Sequence, residues 1–245
     1  MTKDIYSRTI MLLGEEDFQK LSNKRVAIFG VGGVGGYVFE SLLRSGITNI
    51  DIIDNDVISY SNINRQIIAL HSTVGKYKVE ALKERGLDIN PNANINVYKT
   101  FVLDSNINMF PFNKYDYVID ALDTVNAKIA IVCEANKYNV PVISSMGTGN
   151  KLNPLELKVT DISKTKVCPL ARVMRLELKK RNIKKLKVVY SEEEVKENKS
   201  NIKEMKENGR PVPSSISFVP SVAGLIIASE VVKDLCEINY GRSAK

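Results

Sequence analysis

A chain of 245 residues, 44% hydrophobic and 26% charged, holds enough apolar material for one substantial core and has the composition of an ordinary globular protein. Its longest apolar runs fall far short of a membrane span, and Met1-Thr2-Lys3-Asp4 begins no apolar leader. The expectation is therefore a cytoplasmic protein with no membrane association. The formal net charge is +7, and the three cysteines Cys133, Cys168 and Cys236 lie far apart with no C-x-x-C pair. That sparse, odd set fits a reducing compartment and offers no zinc-site spacing.

In chain order, 26–29 reads as a fully buried first strand, followed by a helix over about 34–44. Residues 50–53 form a second strand, 76–85 a helix, 95–98 a third strand and 117–119 a fourth. A helix over 126–138 then leads to a fifth strand at 140–144. Short β-branched runs alternating with helical stretches predict an α/β fold: a Rossmann-like, doubly wound, mostly parallel sheet. The second half is less regular. Residues 155–159 alternate like a strand with one wet face, 169–180 have helical spacing, and 186–190 are another strand. Residues 191–213 are rich in Glu, Lys and Asn and read as a mobile loop, and 219–235 return to a buried helix. This predicts a smaller C-terminal strand/helix extension within a single 1–245 domain. Its nucleotide-binding half is 1–150, and a substrate-side half covers 151–245.

Chemistry concentrates first at Gly30-Val31-Gly32-Gly33-Val34-Gly35. Gly30, Gly32 and Gly35 satisfy G-x-G-x-x-G directly after an apolar strand and before a helix. Glycine there permits a tight turn, close approach of a phosphate and close helix–strand packing, while the helix N-terminus favours the anion. Asp54 closes the second strand roughly 20 residues on, where an acid binds a ribose in dinucleotide folds. Glycines kept only for packing are the plainer alternative.

A dehydrogenase would need no more than this, yet the chain continues with Asn62, Arg65, Gln66 and Lys78. Asn62 and Arg65, three apart, share one side of a helical turn. Arginine grips phosphate with a planar fork and lysine supplies a point charge, so together they would neutralise a triphosphate and stabilise charge developing at its α-phosphorus. Two surface cations and a turn-forming asparagine fit the same spacing. Asp120 and Asp123 close the fourth strand at the sheet edge where open α/β sheets bind ligands. Asp123 suits a Mg²⁺ ion bridging phosphates, or equally an N-cap for the next helix.

From Arg172 to Lys187 there are eight Lys/Arg and one acid, Glu177, a local excess equal to that of the whole chain. Such a patch favours a polyanionic partner through phosphate contacts; a solvated helix face accounts for it as well. His71, the sole histidine, reads as structural, and Cys133 and Cys236 as core.

The glycine loop, Asp54-x-Asp56, Asn62-x-x-Arg65-Gln66, Gly75-x-x-Lys78, Asn90-Pro91 and Asp120-x-x-Asp123 resemble the adenylating fold of the ThiF/MoeB/HesA superfamily, related to ubiquitin-activating enzymes. The likeness covers roughly residues 1–150. It implies ATP and Mg²⁺ as cofactors, with the glycines Gly30, Gly32, Gly33 and Gly35 and Gln66 in the nucleotide site. It implies Asp54 on the ribose, Asn62, Arg65 and Lys78 on the phosphates, and Asp123 on the magnesium. Tyr6-Ser7-Arg8 is similar to the family's start, which implies a homodimer in which Arg8 serves the partner's site. In the second half, 159–166, the Pro169-Leu170-Ala171-Arg172 helix start, 186–194 and 217–224 resemble the tRNA threonylcarbamoyladenosine dehydratase subgroup. That implies adenylation of the threonyl carboxylate of the modified adenosine at tRNA position 37, followed by ring closure. The Arg172 to Lys187 segment would then be a tRNA contact, and a cysteine desulfurase or sulfur acceptor a further partner.

Cys168 departs from the subgroup, where an acid is expected before the Pro-Leu-Ala-Arg segment; a nucleophilic role lacks any evident histidine partner. Two rival activities remain: activation of a ubiquitin-like sulfur carrier, disfavoured by the missing C-x-x-C pairs, and an NAD-dependent oxidoreductase, which Asp54 allows. A non-enzymatic scaffold that binds tRNA or a sulfurtransferase is a third.

Overall fold

The structure is a computed structural model that describes residues 2–196 and 212–238, with side chains from residue 5 onward. Seven strands form one sheet: β1 (Arg25–Phe29), β2 (Asn49–Ile53), β3 (Asn94–Tyr98), β4 (Tyr117–Asp120), β5 (Val142–Ser145), β6 (Leu157–Asp161) and β7 (Lys187–Ser191). Their order across the sheet is β3-β2-β1-β4-β5-β7-β6, with every neighbouring pair parallel except β6 and β7. The C-terminal extension is thus continuous with the main sheet, β7 pairing with β5 and β6 forming an antiparallel edge.

Period-two alternation builds the two faces. Val26 and Ile28 point into one cluster with Ile50, Ile52 and Ile119, while Ala27 and Phe29 point into the other with Val118 and Ile131. Helices α3 (Gly35–Ser45), α4 (Lys78–Ile89) and α7 (Phe218–Leu235) cover the first face. Helices α5 (Val125–Lys137) and α6 (Pro169–Lys180) cover the second, α6 burying Ala171, Met174 and Leu178 against the β5–β7 region. Because both faces are covered, the central strands read as continuous apolar runs.

Several boundaries differ from the sequence expectation for local reasons. The helix expected at 76–85 starts at Lys78, because Tyr77 is held extended beside Val57 in an isolated bridge. The strand expected from residue 140 starts after Pro141, at Val142. Residues 154–156 form a 3-10 turn opened by a proline, so β6 begins only at Leu157. Of the loop expected at 191–213, Ser191 closes β7 and 192–196 run back along Asn150–Asn153; residues 197–211 lie outside the described residues.

Two N-terminal helices, α1 (Thr2–Leu13) and α2 (Glu15–Ser22), have no counterpart among the elements expected from sequence. Their apolar stripe is thin, and among their described side chains only Tyr6 and Leu21 are buried. Docking fixes them: the Tyr6 hydroxyl donates to Leu43 O at 2.9 Å and accepts from Asn90 Nδ2 at 3.0 Å, and its ring tilts against Phe18.

Candidate functional site

Phe29, Ile53, Tyr98 and Asp120 lie in register, so the loops that follow β1, β2, β3 and β4 leave the sheet at one level. The chain runs outward from β1 to β3 and then returns to β4 on the other side of β1, leaving a crevice between the first and fourth loops. A cavity of about 410 Å³ occupies it.

The glycine turn forms one wall. Gly30 has φ +87°, a left-handed conformation that only glycine adopts without strain, and a Cβ there would lie 2.8 Å from Ala121 O. A Cβ on Gly35 would collide with the Gly30 carbonyl oxygen. Gly35 therefore lets α3 start tight against β1, and it stands behind the cavity wall that Gly30, Gly32 and Gly33 line. The amide-rich start of α3 faces this space and carries partial positive charge.

Asp54 is buried, 8% exposed, and its two oxygens each accept a backbone N–H, from Val31 at 2.9 Å and Asp56 at 2.8 Å. It locks the glycine turn to the second loop while each oxygen keeps a further lone pair. Burial pushes the Asp54 carboxyl up from its ordinary value, opposed by the nearby Lys78 charge and by the two N–H groups. Lys78, at the start of α4, is 6% exposed and lies 2.5 Å from the half-exposed Asp56 carboxylate. Asp56 was passed over as a site residue on sequence, although it stands in the Asp54-x-Asp56 motif. Its pairing with Lys78 holds the ammonium on the cavity wall.

Asn62 turns its side-chain oxygen to the Ser59 N–H at 3.1 Å, leaving its NH2 as the donor. Three residues on, the Arg65 Nη1 donates to Ser61 O and Asn64 Oδ1, both at 2.8 Å, which steadies the guanidinium at the rim. Gln66 lies beneath the turn, 7% exposed, and its Oε1 is a buried side-chain atom with no hydrogen-bond partner. Asp120 is fully buried under Ser144 and Lys128, so of the two aspartates only Asp123 lines the cavity. Asp123 is exposed, and the N-cap position of α5 belongs to Thr124, so the capping alternative for Asp123 falls away.

The opposite end of the cavity is apolar: Phe101 and Val102 after β3, with Leu122 and Ala127. An apolar recess joined to a cationic, amide-rich turn has the polarity of a nucleotide, base at one end and phosphates at the other. Thr148, Ser215 and Pro220 complete the wall. None of these was picked out as a site residue on sequence. Phe101 and Val102 could have been found from their position just beyond a strand's C-terminal end. Ser215 reaches the site only through tertiary contacts, Asn64 Nδ2 donating to Ser215 O at 3.0 Å and Ser214 donating N–H and O–H to Asn150 Oδ1.

Other candidates lie elsewhere. Arg8 is exposed on α1, which docks at the C-terminal end of α3, an 11-residue helix about 16 Å long with the glycine turn at its other end. Arg8 therefore cannot join its own protomer's cavity. The basic segment is not one surface. Arg175, one of its eight cations, turns inward, donating to Thr165 O and Thr165 Oγ1. Lys187 sits in β7 and pairs with Glu230 and Asp234 on α7. Arg172, Lys179, Lys180, Arg181, Lys184 and Lys185 remain exposed, with Lys180 and Arg181 paired to Glu177. Cys168 is buried at the N-cap of α6 away from the cavity, Cys236 is buried and Cys133 half-buried. His71 is exposed against the Tyr60 ring.

The chain is similar to known proteins along nearly its whole length. The ThiF family model matches residues 6–244. The tRNA threonylcarbamoyladenosine dehydratase of Bacillus subtilis is 42% identical over 238 residues, 94% of each chain. That of Escherichia coli is 37% identical over 174 residues, 71% of this chain and 65% of the relative. Crystal structures of the Escherichia coli enzyme superpose with TM-scores of 0.88 for the AMP complex and 0.87 for the ATP complex, each at 30% identity over 96% of this chain and 95% of the other.

Proposed function

The chain belongs to the ThiF family of adenylating enzymes, and from that premise we propose that it is an ATP-dependent tRNA threonylcarbamoyladenosine dehydratase. The observation that carries this reading is the cavity itself. It joins an apolar recess to a glycine turn, with the buried Asp54, the Lys78–Asp56 pair, Asn62, Arg65 and Gln66 around the turn. Relatives that share the fold over nearly the whole chain bear that name, and two of the solved structures are its complexes with AMP and ATP.

In this reaction an oxygen of the threonyl carboxylate attacks the α-phosphorus of ATP. The bond from that phosphorus to the bridging oxygen breaks, and pyrophosphate leaves. A nitrogen or oxygen of the same nucleoside then attacks the activated carbonyl, and AMP leaves with the former carboxylate oxygen. The elements of water are lost from the nucleoside, and ATP is converted to AMP and pyrophosphate. Holding the nucleophile on the same molecule makes ring closure intramolecular, which removes most of its entropic barrier.

The protein's part is electrostatic and positional. Asp54 accepts from the ribose hydroxyls with its remaining lone pairs. The glycine-turn amides, Asn62 NH2, Arg65 and Lys78 face the phosphates and stabilise the charge that builds at phosphorus. Gln66 lines the cavity beside the glycine turn. Asp123 is the donor Mg²⁺ would use beside phosphate oxygens; among the described residues no group of three His, Cys, Asp or Glu forms a protein-only cage, which suits a metal carried in on the nucleotide. Bound there, the ion neutralises phosphate charge. Arg8 acts across a homodimer, in the partner's cavity. The exposed cations from Arg172 to Lys185 steer tRNA.

The test is ATP–pyrophosphate exchange in the presence of tRNA carrying threonylcarbamoyladenosine, followed by mass analysis of the digested nucleosides. The reading expects exchange, and loss of one water from that nucleoside alone. Exchange stimulated by a ubiquitin-like carrier in place of tRNA would overturn it.

A further inference from the structure

Lys128 is a fully buried lysine, on the inner side of α5, and a lysine reaches zero exposure only where its charge is matched. Its Nζ lies 2.9 Å from Asp120 Oδ2, and it donates to Leu122 O at 3.0 Å and Ser145 O at 2.8 Å. Three acceptors use all three ammonium protons, so Lys128 has none left for a substrate. Asp120 is matched in turn: it also accepts from Ser144 Oγ at 2.5 Å and Leu122 N at 3.3 Å.

Two of the three bonds go to backbone carbonyls, and their placement is informative. Leu122 immediately precedes Asp123 in the loop after β4. Ser145 ends β5, three residues before Thr148. Leu122, Asp123 and Thr148 all line the cavity. A salt bridge needed only to neutralise Asp120 would not have to hold the ends of two adjacent strands beside the ligand space.

We propose that Lys128 is a positioning residue, fixing the Asp123 carboxylate relative to the β5 loop so that nucleotide-bound metal and the acyl group meet in one geometry. This rests on the function proposed above. It assigns to α5 a part in catalysis although none of the three bonds made by the lysine reaches the ligand space. Outer partners of a metal ligand typically change metal affinity or activity by roughly 10- to 100-fold when removed.

Lys128→Met alone strands a buried aspartate and confounds folding with function. The informative variant is Asp120→Asn with Lys128→Met, which removes both charges at nearly constant shape while both loop carbonyls lose their donor. Thermal unfolding, ATP binding by calorimetry in EDTA and in Mg²⁺, and ATP–pyrophosphate exchange are measured on wild type and double variant. The proposal expects a folded double variant whose metal-free ATP affinity stays within about threefold of wild type. Its gain in ATP affinity on adding Mg²⁺ falls about tenfold or more, and kcat for exchange falls with KM for tRNA unchanged. An undiminished Mg²⁺ gain, or a double variant that fails to fold, overturns it in favour of a purely structural ion pair. A wild type whose ATP affinity gains nothing from Mg²⁺ instead overturns the metal reading of Asp123, and the role of Lys128 with it.

Discussion

Asp54 shows how one side chain serves fold and site at once. Its carboxylate ties the glycine turn to the second loop through two backbone N–H groups, and burial holds its pKa up. Between the ordinary carboxylate value and that raised one the native state keeps a proton the unfolded chain has released. Its contribution to stability is therefore complete below the ordinary carboxylate value and is lost as pH rises through the raised folded one. A desolvated acid is kept for what it binds. Asp54→Ala is expected to leave the buried Val31 N–H and the half-buried Asp56 N–H without their acceptor, lowering stability by about 1–3 kcal/mol on denaturant unfolding. It also removes nucleotide binding in calorimetry. Lys78→Ala should act differently, lowering the rate of ATP–pyrophosphate exchange by about 10²–10³, the scale of losing one group that meets developing charge. Wild-type exchange by that variant would remove Lys78 from the phosphate site.

Between elements, buried charges do the joining. Glu40 on α3 accepts from Arg85 on α4 at 2.7 Å and from Arg44 on its own helix at 2.7 Å. Burial raises the Glu40 pKa, but the two arginines outweigh it and hold the carboxyl below its ordinary 4.5. Its stabilisation is complete above that ordinary value and is lost as pH falls through the lower folded one. Wild type should therefore lose more in Tm on acidification below about pH 4.5 than Glu40→Gln, a comparison differential scanning calorimetry makes directly. Lys128 and Asp120 join α5 to β4 and β5 more deeply. Lys128→Met alone is expected to destabilise by about 3–5 kcal/mol, because a buried carboxylate loses its counter-charge. A near-wild-type denaturation midpoint would show that Asp120 finds another partner.

For the whole molecule the open questions concern surfaces. Arg8 lies at the far end of α3 from its own cavity, so its expected role needs a second protomer. Arg8→Ala and Lys78→Ala should each lose most of their exchange rate, while a refolded mixture regains activity, because a mixed dimer holds one complete site. Failure of the mixture to recover would confine each site to one chain. The cationic surface proposed to meet tRNA is narrower than the whole charge run, since Arg175 and Lys187 are engaged within the fold. Reversing Arg172, Lys179 and Lys180 to glutamate should weaken tRNA binding and flatten its dependence on salt, by about 0.9 in the logarithmic slope for each phosphate no longer neutralised. ATP binding without tRNA should be unchanged.

The parallel sheet, the glycine cradle and the cluster of Asp54, Asn62, Arg65, Lys78 and Asp123 follow from sequence alone. They belong to βα units whose periodicity is local, and their chemistry stands at strand ends where the topology must expose it. Tertiary structure alone decided the rest. It set the N-terminal helices on a weak apolar stripe, turned Arg175 inward, brought Ser215 and Pro220 to the cavity and buried Lys128 among three acceptors. Each of those outcomes depends on partners distant in sequence. A lysine in a helical pattern looks the same whether its face meets water or the ends of two strands.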